Sequence, residues 1–205
     1  MSQNTSSTLN IKSQPPKTAQ NTRKPGQPKR PRKITESYLH NSGLYYLERY
    51  ASSAANFETV MLRKIKKSCA YHEDQDYETC AALLPTLIEK FIRLELLNDD
   101  LYTRTKLRAL RQRGKSKRAI VNYLKAKGIA GDLVQKHWTL YNQEHEIQDD
   151  QAEYETAMIF ARKKRLGPFR ISDKVTPDQA LGRFARAGFS YDTARRVLNL
   201  ESEDF

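Results

Sequence analysis

The sequence has little of several residues that define common functional classes. Only two of its 205 residues are cysteines, too few for a disulfide framework and consistent with a reducing cytoplasm. No stretch approaches the roughly 18 apolar residues of a membrane-spanning helix. The first residues lack the apolar segment of a secretory signal, and residues 1–35 have too few apolar side chains for a typical transit helix. We therefore expect a cytoplasmic protein that does not act within a membrane.

Residue patterns typical of catalysis or metal binding are also missing. Cys69, His72 and Cys80 have the spacing C-x2-H-x7-C, which lacks a defined fourth ligand and matches no structural zinc pattern. The run 114–116 (GKS) resembles the end of a phosphate-binding loop, but the motif needs a glycine where Ala109 stands. No Ser/His/Asp or Cys/His arrangement stands out. We expect no enzyme activity, no cofactor and no metal.

Positive charge is abundant. The chain has 36 Lys and Arg against 24 Asp and Glu, a net charge of +12, which favours anionic partners such as nucleic acid or an acidic protein surface. Residues 1–35 hold eight Lys or Arg, no acid and five of the eight prolines. This composition predicts a disordered basic tail. The tail is either a nucleic-acid arm or a solubilising segment.

From residue 35 the apolar residues recur with the 3.6-residue period of α-helices, and no segment alternates as a strand would. We predict an all-α protein with nine helices, the first spanning Tyr38–Ser52. Helix starts are predicted at Ser53, Asn98, Ser116, Gln148, Thr176 and Ser190, and near Asp132. Residues 68–77 are predicted to be a polar connector. Pro85 lies in the third helix, either at its start or at a kink.

The helical spacing also predicts which side chains are buried. The core candidates are Tyr38, Leu39, Tyr45, Tyr46, Leu47, Tyr50, Phe57, Met61, Leu62, Ile65, Leu83, Leu84, Leu87, Phe91, Leu94, Ile120, Val121, Leu124, Leu133, Val134, Trp138, Tyr141, Tyr154, Ala157, Met158, Ala161, Ala180, Leu181, Phe184, Ala194, Val197 and Leu198. They are spread along the whole helical part of the chain, so we expect a thin core and not a large one.

A repeat is visible in this pattern. Ser116 is followed at +4, +8 and +12 by Ile120, Leu124 and Gly128, and Thr176 is followed in the same way by Ala180, Phe184 and Gly188. Ser53 is followed by Phe57, Met61 and Ile65, without the glycine. A period of about 50–60 residues indicates a tandem helical array. We predict a tail (1–35) and three three-helix repeats, at 36–97, 98–147 and 148–205.

The central repeat carries the most concentrated charge. Residues 101–128 contain ten Lys or Arg and no acid. Arg104, Arg108, Arg111 and Lys115 are three or four residues apart, so they should share one helix face. Lys117 and Arg118 would stand at a helix N-terminus, where each cation is unfavourable by about 0.3–1 kcal/mol.

Such cations beside free helix amides predict an anion site, although a solvated charged face is the simpler interpretation. A second basic run, Arg162–Arg165, ends the seventh helix. The candidate DNA- or filament-binding residues are Arg104, Arg108, Arg111, Arg113, Lys115, Lys117, Arg118, Arg162, Lys163, Lys164 and Arg165.

The order of these motifs resembles the RecX family, proteins that regulate the RecA recombinase. The resemblance lies in Leu97–Tyr102 (LNDDLY), Arg111–Lys117, the Ile120–Ile129 segment and Phe184–Leu198, and it extends over about residues 38–200. The first repeat departs from the family because it lacks the closing glycine. Ala130 also departs, standing where the family often has a capping serine.

The resemblance implies a curved, elongated row of three-helix units that lies in the groove of the RecA–DNA filament. There it would inhibit strand exchange and ATP hydrolysis during DNA repair, recombination and the SOS response. The implied partners are the RecA filament and single- and double-stranded DNA, with the protein acting as a monomer. Two alternatives remain open: a nucleic-acid-binding helical protein that acts without RecA, and a helical-repeat adaptor for another acidic protein.

Overall fold

The computed structural model describes residues 30–172 and 174–200. That part of the chain contains ten α-helices, one short 3-10 helix and no strand, which confirms the all-α prediction. The helices are α1 (Glu36–Leu47), α2 (Ala54–Cys69), α3 (Tyr77–Ala81), α4 (Leu84–Arg93), α5 (Asp99–Gln112), α6 (Lys117–Lys125), α7 (Gly131–Glu144), α8 (Asp149–Lys164), α9 (Pro177–Ala187) and α10 (Tyr191–Leu198), with a 3-10 turn at Gly167–Phe169.

Five of the predicted helix starts are confirmed by capping bonds, while α7 and α8 begin at Gly131 and Asp149 without a side-chain cap. The side chains of Ser53, Asn98, Ser116 and Ser190 each accept a hydrogen bond from the backbone amide three residues ahead. Such a bond stabilises a helix start by about 1 kcal/mol, because it satisfies an amide that has no partner within the helix. Thr176 forms a full capping box with Gln179, in which each side chain accepts from the other residue's amide.

The first repeat differs from the prediction at three points. Helix α1 ends at Leu47 and does not reach Ser52, and α2 continues to Cys69, into the predicted connector. A short helix not foreseen, α3, is capped by Asp76. Pro85 lies in the first turn of α4, so the helix begins there and is not kinked.

Three predicted core residues lie at the surface. Tyr45 is 59% exposed, Tyr50 58% and Leu94 57%. Tyr50 follows the end of α1, and Leu94 is the C-terminal cap of α4, so neither continues the helical stripe on which its burial was predicted. Tyr45 lies under the guanidinium of Arg49, 3.7 Å from its ring centroid, instead of in the core.

The buried side chains of the described residues form three separate clusters. One lies in α1–α4 around Phe57 and Phe91, one in α5–α7 around Trp138, and one in α8–α10 around Phe184. Each cluster contains most of the core residues predicted for its part of the chain. Their order along the chain agrees with three tandem helical units, while the proposed limits between the units stay predictions.

The segment just before α1 is anchored to the first cluster. Ile34 is buried, and the Gln75 side chain accepts from its amide (2.7 Å) and donates to its carbonyl (2.8 Å). Ser68 Oγ also donates to the carbonyl of Arg32 at 2.7 Å. The fold therefore begins before Thr35, and the predicted tail limit at residue 35 lies too far along the chain. The rest of the predicted tail, residues 1–29, is outside the described residues.

Helices α6 and α9 end in the same way. Gly128 and Gly188 have φ angles of 74° and 95°, and the following amide in each case bonds back to the carbonyl of Leu124 or Phe184 (3.1 Å in both). This is the Schellman arrangement, in which a left-handed glycine closes the helix. The glycines at +12 of the predicted repeat therefore have an identical local role.

The second helices of successive units also meet end to end. Ser116 Oγ, besides capping α6, donates to the carbonyl of Ala187 at 2.8 Å, next to the C-terminal end of α9. Ser53 Oγ caps α2 and donates to the carbonyl of Lys127, next to the end of α6. Each contact places a positive helix N-terminus against a negative helix C-terminus, which is electrostatically favourable.

The two closing glycines lie inside these contacts. A Cβ atom on Gly128 would lie 2.3 Å from the Cβ of Ala55, and one on Gly188 would lie 2.6 Å from the Oγ of Ser116. Both distances are far below van der Waals contact. These positions need glycine for the left-handed backbone and for the close approach of the neighbouring helix.

The substitution Gly128→Ala should lower the free energy of unfolding by about 2–4 kcal/mol, combining left-handed backbone strain with overpacking against Ala55. Chemical denaturation measures this quantity. Gly131→Ala is the matched control: its Cβ would lie 3.7 Å from the nearest atom, and its φ is not in the left-handed region. The control should leave stability unchanged or raise it by up to about 1 kcal/mol. Equal losses in the two variants would contradict the close-contact explanation.

Candidate nucleic-acid interface

The basic stretch predicted from the sequence forms α5 and α6, and several of its cations face solvent. Arg104, Arg108, Arg113 and Lys115 are exposed. Arg108 pairs with Glu144 of α7 and lies 6.0 Å from the ring centroid of Tyr141. In residues 30–172 and 174–200, the other three have no carboxylate within salt-bridge distance. These three therefore remain free to contact an anionic partner.

Arg111 does not belong to that exposed face. It is 3% exposed, and its guanidinium lies 4.7 Å from the ring centroid of Trp138 and 4.2 Å from that of Tyr141. It also donates to Asn142 Oδ1 at 3.2 Å, and burial lowers its pKa. Arg111 is thus a core residue that joins α5 to α7, and its assignment to the binding face was wrong.

A sequence signal for this burial existed. Thr103, Leu107 and Arg111 are spaced four residues apart and are all buried, so they form one continuous inward stripe of α5. The charge of Arg111 had grouped it with the cations beside it. An arginine can be buried where aromatic faces and an amide oxygen receive its guanidinium.

Lys117 and Arg118 were predicted to form an anion site at the start of α6. Lys117 Nζ instead lies 2.7 Å from Asp149 Oδ2 and 5.0 Å from the Trp138 ring centroid. Arg118 Nη2 donates to the carbonyl of Ala185, in the last turn of α9, at 2.9 Å. The cost of placing cations at a helix N-terminus is therefore offset within the protein, and no bound anion is needed to explain it.

Asp149 is the centre of a small polar network. Besides the Lys117 bond it accepts from Trp138 Nε1 at 2.8 Å and from the Asn142 amide. The hydrogen bond from Lys117, reinforced by that of Trp138, lowers the pKa of Asp149. Asp99 has the corresponding place in α5, where its Oδ1 accepts from the Ala54 amide at 2.8 Å. The sequence predicted these two acids only as helix-start residues. In the structure Asp149 also joins α8 to α6, and Asp99 joins α5 to α2.

The cleft beside Lys117 and Arg118 has mixed charge. It is about 410 Å³ and is also lined by Glu153, Gly188 and Phe189. Burial raises the pKa of Glu153, and its carboxylate lies among the cations that were predicted to bind an anion. The cleft is therefore a poor phosphate site.

The second predicted basic run, Arg162–Arg165, contacts the C-terminal end of α5. Lys163 Nζ donates to the carbonyl of Gln112 at 3.4 Å, beside Arg113. Arg162 lies over Phe169, with its guanidinium 5.0 Å from the ring centroid. Lys164 is exposed, and Arg165 caps α8 in a left-handed conformation. We call Arg113, Lys115 and Lys163, at the adjoining C-terminal ends of α5 and α8, the α5–α8 basic end.

A further cationic cleft was missed by the sequence analysis. It lies where α2 approaches the end of α6 and is lined by Tyr46, Tyr50, Asn56, Val60, Arg63, Lys64, Lys67 and Lys127. We call it the tyrosine–lysine cleft. The available signal was the basic run Lys64–Lys67 (KIKK), at the position where the first repeat lacks its closing glycine.

The structure also bears on the sequence predictions about membrane spans, metal sites and cysteines. No helix in the described residues is long and apolar enough to cross a bilayer. The same part of the chain holds no group of three or more His, Cys, Asp or Glu placed to share a metal ion. Cys69 is half-buried and Cys80 buried, and both are free thiols.

The substitution Asp149→Asn should flatten the acid limb of the stability–pH curve. Because the folded-state pKa is lowered, the carboxylate contributes stability above its ordinary pKa of about 3.9 and loses it as pH falls through the lower folded value. Urea denaturation between about pH 5 and pH 2 should show a shallower decline in the variant than in the wild type.

The matched control is Asp132→Asn in the first turn of α7. Within the described residues Asp132 has no cationic partner in salt-bridge distance, so this variant should keep the wild-type slope. Identical curves for wild type and Asp149→Asn would refute the role of the Lys117–Asp149 pair.

Comparison with known proteins gives a consistent result. No family model matches the chain. It is 38% identical over 175 residues to the regulatory protein RecX of Myxococcus xanthus (strain DK1622), covering 84% of this chain and 90% of that protein. It is 28% identical over 173 residues to the regulatory protein RecX of Agrobacterium fabrum, covering 82% and 85%.

A solved structure supports the fold. The crystal structure of RecX from Lactobacillus salivarius superposes with a TM-score of 0.54 at 23% identity, covering 80% of this chain and 94% of that one. At this identity the likeness bears on the fold alone. The Myxococcus relative, by contrast, matches over nearly its full length at an identity that shows common family membership. The chain therefore belongs to the RecX family of regulatory proteins.

Proposed function

We propose that the protein binds the filament that a RecA recombinase forms on DNA and lowers the strand exchange and ATP hydrolysis of that filament. The observation that carries the proposal is the 38% identity to a regulatory protein RecX over 84% of the chain. We place this action in the cytoplasm, with the protein as a monomer and without catalysis of its own.

The structure supports the proposal through the way its helices are joined. Helical units that meet end to end and bury separate small cores present more surface than a single-core domain of the same length. Exposed cations without carboxylate partners, at Arg104 and at the α5–α8 basic end, suit contacts with phosphates. Charge would speed attachment to the filament, and the fit of the helical surface would provide specificity.

The direct test is the ATP hydrolysis of a purified RecA recombinase on single-stranded DNA, with the full-length protein added at substoichiometric amounts. We expect hydrolysis and strand exchange to fall together. A result in which the protein binds DNA but leaves both activities unchanged at saturation would contradict the proposal and favour a nucleic-acid-binding role without the recombinase.

The variant Arg104→Gln/Arg113→Gln/Lys115→Gln should inhibit more weakly. If each side chain contacts one phosphate, the slope of log affinity against log salt should fall by about 2–3. Anisotropy titrations of the labelled filament at several salt concentrations measure this slope, and the ATPase assay gives the change in inhibition.

The matched control removes the same charge elsewhere: Lys90→Gln/Arg93→Gln/Arg183→Gln, three exposed cations on α4 and α9. It should behave like the wild type. An equal loss in both variants would mean that net charge, and not this surface, governs binding. Lys117 and Arg118 are left intact because their bonds to Asp149 and Ala185 join two helical units. Changing them would also disturb the fold, so a loss of binding could not be assigned to the surface charge.

A further inference from the structure

We propose that the tyrosine–lysine cleft is a binding site for single-stranded nucleic acid that works without the recombinase. The cleft is open and has a volume of about 620 Å³, which is within the range of about 300–1,000 Å³ found for ligand sites. It lies apart from the α5–α8 basic end, on α1, α2 and the segment after α6. Binding at this cleft would not require the proposed action on RecA.

The charge of the cleft is all of one sign. Four of its eight lining residues are cations and none is acidic. Within the described residues, Arg63, Lys64, Lys67 and Lys127 have no carboxylate in salt-bridge distance. Arg63 and Lys67 are four residues apart on α2, a spacing at which like charges repel. An anion in the cleft would relieve this repulsion.

One of the cations is held in place by neutral groups. Lys127 Nζ donates to Asn56 Oδ1 at 2.8 Å, while the Asn56 amide nitrogen donates to Tyr46 Oη at 3.2 Å and to Ser52 Oγ at 2.7 Å. This chain of bonds fixes the direction of the ammonium group without neutralising its charge. A cation so oriented loses little freedom on meeting a phosphate.

The aromatic wall distinguishes this cleft from the other basic surfaces. Tyr50 is 58% exposed, and its ring centroid lies 5.3 Å from that of Tyr46 at an angle of 39°. Because α1 ends before Tyr50, the exposed Tyr50 ring lines the same cleft as the four cations. Aromatic faces next to a cationic track are the combination by which proteins bind single strands, where unpaired bases stack and phosphates meet the cations.

This combination favours a single strand over the other anionic partners. Duplex DNA would offer phosphates to the cations. Its bases, however, are already stacked on each other and cannot stack on the Tyr50 ring. An acidic peptide would meet the cations but would make no specific use of an aromatic face.

The experiment measures the anisotropy of a fluorescein-labelled oligo-dT strand with the full-length protein and no recombinase. The variant Arg63→Gln/Lys64→Gln/Lys67→Gln should bind more weakly, and its slope of log affinity against log salt should be smaller by about 2, at about 0.7 per single-strand contact. Lys90→Gln/Arg93→Gln/Arg183→Gln removes equal charge and should match the wild type. Equal losses in the two triple variants would overturn the proposal.

The stacking wall is tested by Tyr50→Leu and Tyr50→Phe. The leucine variant should bind oligo-dT about five-fold or more weakly, the low end of the stacking contribution of a single base, and the phenylalanine variant should bind like the wild type. Tyr50 is mostly exposed, so both proteins should fold, and their unfolding midpoints check this. Equal affinity of wild type and Tyr50→Leu for oligo-dT would overturn the proposal.

Two competitors complete the test. A duplex of the same length and a poly-glutamate peptide should each compete poorly with oligo-dT. One result would overturn the single-strand assignment in favour of a competitor. In that result the competitor binds more tightly than oligo-dT, and the variant Arg63→Gln/Lys64→Gln/Lys67→Gln binds the competitor more weakly than the wild type does. Because no recombinase is present, these outcomes are independent of whether the protein inhibits ATP hydrolysis.

Discussion

The contact on which the rest of the structure depends is a serine hydroxyl that serves two helices at once. Ser53 and Ser116 each cap the start of their own helix, and each donates to the carbonyl just before the glycine that closes the corresponding helix of the next unit. The two bonds bring each helix start to the closing end of a neighbouring helix. The positive N-terminus of one helix then lies beside the negative C-terminus of the other, and the glycines must lack a side chain to let the helices meet.

This arrangement explains a charge pattern that had suggested a ligand. Cations at the start of α6 are unfavourable for an isolated helix, but the negative end of α9 and the carboxylate of Asp149 lie directly against them. An apparent local conflict is thus resolved by a neighbouring unit, and Lys117 and Arg118 have a structural explanation. Among the cations that have no carboxylate in salt-bridge distance in the described residues are Arg104, those of the α5–α8 basic end and those of the tyrosine–lysine cleft.

The sequence could predict what is decided locally. The capping side chains of Ser53, Asn98, Ser116, Thr176 and Ser190, the closing glycines and the core stripes of α2, α6 and α9 follow local sequence patterns, and these predictions were confirmed. The spacing of Arg111 from Thr103 and Leu107 indicates the inward face of α5. It does not reveal the partners that receive the guanidinium, Trp138 and Tyr141, which lie about thirty residues away. The exposure of Tyr50 depends on where α1 ends, and helix ends are the least certain part of any pattern.

The missing glycine of the first repeat follows from the same contact. The ends of α6 and α9 must admit a helix start, so they close with Gly128 and Gly188. Helix α2 runs on to Cys69 and closes at Ala70 with ordinary right-handed geometry, so its end needs no left-handed glycine. The residues at this position of the first repeat can therefore include long cationic side chains. Lys64 and Lys67 line the tyrosine–lysine cleft there, so a departure from the repeat coincides with the surface best suited to bind a strand.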